Sequence, residues 1–146
     1  MFEKLRVSFY FFRIDLTEEK RYTIKPQTKE LLSQLDEDVF VEVFLEGDLN
    51  PGFKRFQKSI RETLAEFQIY SNNKVKYIFT NPSQAASEKA RNEFANELAA
   101  KGISAMNVIE TKDGQREEKF VFPGALVSYG GFESGVILLK GSRAQG

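Results

Sequence analysis

The sequence contains no cysteine and no histidine. Without cysteine there is no disulfide, no thiol redox chemistry and no cysteine nucleophile. Without either residue every common zinc site is excluded, and with histidine goes the usual acid–base pair. Carboxylate, lysine, tyrosine or serine chemistry remains, or no chemistry at all. An excess of one charge is missing too. The 21 Lys+Arg balance 21 Asp+Glu, which argues against a polyanion-binding surface, so no nucleic-acid partner is expected. No apolar run is long enough to span a bilayer. What is present is 146 residues, 41% hydrophobic and 29% charged. That suits one compact α/β domain with a real core.

The first 22 residues read as an aromatic strand and a polar connector. Leu5, Val7, Phe9 and Phe11 alternate, as a buried or edge strand requires. It lacks the cleavage site of a signal peptide, and its sharper reading is a juxtamembrane remnant of an upstream anchor. Phe9, Tyr10, Phe11 and Phe12 are then a candidate surface for self-association or for a missing neighbour. The domain proper is expected over residues 23–140, with a tail at 141–146; both ends read as boundaries within a longer protein.

A short helix is expected after Pro26, with Leu31, Leu32 and Leu35 on one face. Val39 to Leu45 is apolar on both faces except at Glu42, the pattern of a central strand covered on both sides. After the loop Gly47 to Gly52 comes the clearest element. Phe53, Phe56, Ile60, Leu64 and Phe67 recur at spacings of three and four on an otherwise charged helix. Asn72-Asn73 ends it, Val75 to Thr80 forms the next strand, and a second helix runs from about Ser87 to Lys101. Two hairpins follow, turning at Asp113-Gly114 and Gly130-Gly131.

Strand, loop, long helix, strand, shorter helix, then X-Pro and a hairpin is similar to the thioredoxin-fold order. The resemblance implies a mixed sheet with helices on both faces, here with an inserted β-hairpin within Ile103 to Val121. Asp48-Leu49-Asn50-Pro51-Gly52 then stands where redox members carry paired cysteines. Phe122-Pro123 stands at their cis-proline, so a cis bond is expected there. Without cysteine, dithiol exchange is excluded. This likeness supports architecture, not activity.

A closer resemblance runs through Arg13 to Ile24, Thr28 to Leu32, Pro51 to Arg55, Phe79 to Pro82, Phe122 to Val127 and Val136 to Lys140. These stretches resemble, in order, the extracytoplasmic N-terminal region of the GldG family, gliding-motility-associated ABC transporter auxiliary proteins of Bacteroidetes. The resemblance implies a periplasmic domain of an inner-membrane-anchored protein, with the transporter's ATPase and permease as partners and membrane contact only through a segment outside this chain. It brings no catalytic motif, no metal and no cofactor. A homodimer remains open.

Among the residues themselves, Lys54, Arg55, Lys58 and Arg61 crowd the positive end of the long helix, against its dipole. An anion or an acidic partner would use that end; a solvated face offset by Glu46 and Asp48 is the plainer reading. Asp36-Glu37-Asp38 reads as a polar turn rather than a calcium loop. Glu42 is expected to pair with a Lys or Arg. The candidate binding loops are therefore Asp48, Asn50, Pro51, Gly52, Lys54 and Arg55 on one side, with Phe122 and Pro123 on the other. The leading expectation is non-catalytic recognition of a partner or ligand. The alternative is a carbohydrate- or peptide-binding module built on the loops around Pro51 and Pro123.

Overall fold

A computed structural model describes residues 24–138. The aromatic segment Phe9 to Phe12 and the C-terminal tail lie outside the described residues. Helix α1 (Pro26–Ser33) precedes strand β1 (Val39–Val43), helix α2 (Pro51–Tyr70), strand β2 (Val75–Phe79) and helix α3 (Glu88–Ala100). Strands β3 (Met106–Lys112), β4 (Gln115–Val121), β5 (Gly124–Tyr129) and β6 (Phe132–Ile137) complete the order.

The main sheet has the order β2-β1-β5-β6. The β1–β2 pair is parallel, and β5 runs antiparallel to both of its neighbours. This is the expected thioredoxin-like mixed sheet, and the hairpin β3–β4 forms a separate two-stranded sheet inserted before β5. Both hairpins turn on two residues with positive φ, Asp113-Gly114 and Gly130-Gly131. Such turns match the twist of the flanking strands.

The period-2 alternation of β1 and β5 divides the core between the two faces of the sheet. On one face Val39, Val41, Val43, Ala125 and Val127 pack with Leu32 of α1 and with Ile60, Leu64 and Phe67 of α2. The three α2 residues are fully buried, and Phe53 and Phe56 pack beside them partly exposed. Each fully buried side chain of this size is worth about 1.5–3 kcal/mol, so this stripe anchors the helix. On the other face Phe44 and Leu126 meet Phe94 and Leu98 of α3 together with Ile103 and Phe122.

Two expectations about this fold are corrected. The Phe122–Pro123 bond is trans, since no cis peptide bond occurs among the described residues. Pro123 is buried, and its carbonyl accepts a hydrogen bond from Leu138 N at 2.9 Å. The residue therefore closes the sheet end by backbone bonding. Strand β1 is also not covered along both faces. Helix α3 covers Phe44, but Phe40 is 41% exposed and its diagonal neighbour Ile78 is 45% exposed.

Candidate functional site

Three connections meet at the end of the sheet where β1 and β2 stop and β5 begins. Phe44 N–H donates to Gly124 O at 2.9 Å, and Thr80 N–H donates to Val43 O at 2.8 Å. The loop after β1 then lies against the loop after β2. Gly47 has φ +116°, and a Cβ there would stand 2.8 Å from Asn81 Oδ1. That oxygen is already engaged, accepting from Ser83 N at 2.9 Å. The start of the loop after β1 is thereby held beside Gly124 on one side and the loop after β2 on the other.

Helix α2 begins at this junction. Asn50 adopts extended backbone, and its Oδ1 accepts from Phe53 N at 2.8 Å, with Pro51 in the first helical position. That is how a polar cap and a proline start a helix. No acidic side chain stands in the first turn. Of the two acids expected to offset the helix's positive end, Glu46 accepts from Gln57 Nε2, which also donates to Leu45 O at 2.8 Å. Asp48 instead pairs with a lysine of the inserted hairpin. Pro51, Gly52, Lys54 and Arg55 are exposed. Further along, Lys58 pairs with Glu62 at 4.0 Å and Arg61 lies over the Phe79 ring at 4.1 Å.

The partner of Asp48 is Lys119, on the inserted hairpin. Lys119 Nζ stands 2.8 Å from Asp48 Oδ2 and 3.4 Å from Glu110 Oε1. The Lys119 hydrogen bond and charge hold the Asp48 carboxyl below the usual carboxylate range, and burial works weakly against this. The same bond, with that of Glu110, raises the Lys119 ammonium above its ordinary value against a smaller desolvation effect. Glu110 also needs this cation for a local reason. It sits directly opposite Glu117 across the hairpin, and like charges in that position repel.

Sequence reasoning missed Lys119 and Glu110. A signal was available in the alternation of β4, where Lys119 and Val121 share one face. A lysine in the register of an inward valine calls for a nearby carboxylate.

The remaining candidates separate. Phe122 is 6% exposed inside the second core cluster, and with the buried Pro123 it supplies packing rather than a contact surface. Phe120 is 58% exposed. Glu42 is half-buried, and its Oε2 accepts from Thr80 Oγ1 at 2.8 Å, so among the described residues its partner is a hydroxyl and not the expected cation. Asp38 of the acidic turn pairs with Lys76 at 3.1 Å. Among the described residues no cluster of three or more acidic side chains could hold a metal ion. No described helix is long and apolar enough to cross a membrane.

Fold and site thus define an α/β domain of thioredoxin-like strand order in which the start of the long helix is capped and its preceding loop is tied to the inserted hairpin. The chain belongs to the family described as "Domain of unknown function (DUF7088)", matched over residues 18–128. No curated protein and no solved structure matches it.

Proposed function

We propose that this chain is a non-catalytic, extracytoplasmic recognition domain of a GldG-like auxiliary component in an ABC transport or gliding-motility system. The observation that carries this reading is the treatment of the α2 N-terminus. The loop at the thiol position of redox relatives is held by the Asn50 cap and the Asp48–Lys119 contact, while Pro51, Gly52, Lys54 and Arg55 face outward. A fixed, charged, solvent-facing loop suits recognition of an acidic partner surface. The ordered stretches that resemble the GldG family point to the ATPase and permease of the transporter as the assembly joined through the full-length protein. Phe122 and Pro123 are spent on packing, which leaves the alternative carbohydrate- or peptide-binding module with only one of its two loops.

The test is isolation of the full-length protein from detergent-solubilised membranes. The expected result is co-isolation with an ABC ATPase and permease, weakened by the Lys54→Glu, Arg55→Glu double variant. A single cysteine placed at Ser59 would react with a membrane-impermeant maleimide in intact spheroplasts. Recovery without any transporter subunit, or labelling only after lysis, overturns the proposal.

A further inference from the structure

The inserted hairpin presents one apolar face to the core and carries exposed apolar side chains on the other. Its inner face, with Met106 and Val108, packs on the main core. Its outer face carries Ile109, 50% exposed, and Phe120, 58% exposed. The two are diagonal neighbours across the strands, since Ile109 lies opposite Glu118. No third strand pairs with the hairpin among the described residues.

The two-residue turn makes Lys112 and Gln115 a hydrogen-bonded pair, and such pairs alternate along an antiparallel ladder. The bonds to β4 therefore use the even-numbered residues of β3. Asn107, Ile109 and Thr111 turn their N–H and C=O groups outward along an edge that is open among the described residues. Open edges recruit strands.

We propose that the β3 edge is the contact surface of a twofold dimer of this chain, with Ile109 at the axis. Charge disfavours the middle of β4 and is compatible with self-pairing of β3. On β4, every twofold register centred within Arg116-Glu117-Glu118-Lys119 sets a residue opposite its own like-charged copy. On β3, an axis at Ile109 places Ile109 opposite Ile109, Asn107 opposite Thr111, and Val108 opposite Glu110. No like charges face each other, and about six new backbone hydrogen bonds can form. The result is a four-stranded sheet of two hairpins whose outer face is apolar at the centre. This proposal does not depend on the transporter reading.

The absence of native cysteine makes the test direct. An Ile109→Cys variant has a single thiol whose copy sits across the axis about 5.5 Å away at Cα, within disulfide reach. Mild oxidation is expected to convert it to a covalent dimer, whereas Glu118→Cys, one strand farther out, stays largely monomeric. Sedimentation of the native chain is expected to show a monomer–dimer equilibrium. Ile109→Lys, a change at an exposed position, is expected to weaken association at least tenfold, with a melting temperature unchanged at concentrations where the native chain is monomeric. A native chain that is monomeric up to about 1 mM overturns the proposal. So does a dimer indifferent to Ile109→Lys, or a Glu118→Cys variant that cross-links as readily as Ile109→Cys.

Discussion

Lys119 Nζ lies 2.8 Å from Asp48 Oδ2, a contact between residues 71 positions apart. It ties the inserted hairpin to the loop that starts α2, two elements with no strand pairing between them. Removing the cation in Lys119→Met is expected to loosen the hairpin and leave the main sheet intact. Hydrogen exchange of the β3 and β4 amides should quicken while that of β1 stays unchanged. Equal quickening in both would show that the contact stabilises the whole domain and does not dock the hairpin.

The same contact fixes a pH dependence. Asp48 is depressed in the folded protein by Lys119, so its stabilising contribution is present above the unfolded carboxylate value of about 3.9. It is lost as pH falls through the lower folded value. Lys119 is raised, so its contribution is present below about 10.4 and is lost only as pH rises through its higher folded value. Hairpin docking should be flat from pH 5 to pH 9 and weaken below pH 4, followed by the Asp48 carboxyl resonance. An inflection near neutrality would assign the contact to other groups.

The helix start depends on one side chain. Asn50→Ala removes the acceptor of the Phe53 N–H, and loss of such a cap costs about 1 kcal/mol. Urea denaturation should show that loss, and Asn50→Ser or Asn50→Asp should recover most of it. No change on Asn50→Ala would mean that water caps the helix as well as the side chain does.

Much of the architecture was legible because periodicity reports burial. The three-and-four spacing of Ile60, Leu64 and Phe67 placed the long helix on the sheet, and all three are fully buried. The Ser87 cap of α3 was also legible, with its hydroxyl accepting from Ala90 N at 3.1 Å. The exposure of Phe40 was not, because alternation gives the face of a residue but not how far along the strand the covering helix extends. The site was half legible. Turn chemistry located Asp48 to Gly52, but the partner Lys119 depends on where an inserted hairpin folds back. The trans Phe122–Pro123 bond was missed because the expectation rested on analogy and not on local chemistry.

Two glycines separate the effects of space and conformation. Gly135 of β6 lies under the Lys101 carbonyl at the end of α3, which a Cβ would strike. Backbone cannot yield as a side-chain tip does, so Gly135→Ala should cost about 1–3 kcal/mol in urea denaturation. Gly52, in the first turn of α2, has no positive φ and only ordinary contacts, with Asn50 Oδ1 at 3.5 Å from a Cβ. Gly52→Ala should therefore stabilise by about 0.4–1 kcal/mol through the unfolded chain. The reverse ordering would mean that the end of α3 does not rest on β6.

Thr28 of α1 is 1% exposed, and its hydroxyl has no hydrogen-bond partner among the described residues. The contrast with Thr63 of α2 is informative. Thr63 is also buried, but its Oγ1 donates to Ser59 O at 2.9 Å, one turn back. An unsatisfied buried hydroxyl costs about 1–3 kcal/mol, and replacing it with a methyl of the same shape relieves that cost. Valine and threonine have similar helix propensities, so the backbone supplies no opposing effect. Thr28→Val is thus expected to raise unfolding stability by about 1 kcal/mol. Thr63→Val, which leaves no donor for a carbonyl already bonded within the helix, should change stability less. A loss on Thr28→Val would mean that the hydroxyl has a partner, such as an ordered water, and the melting curves of the two variants side by side decide it.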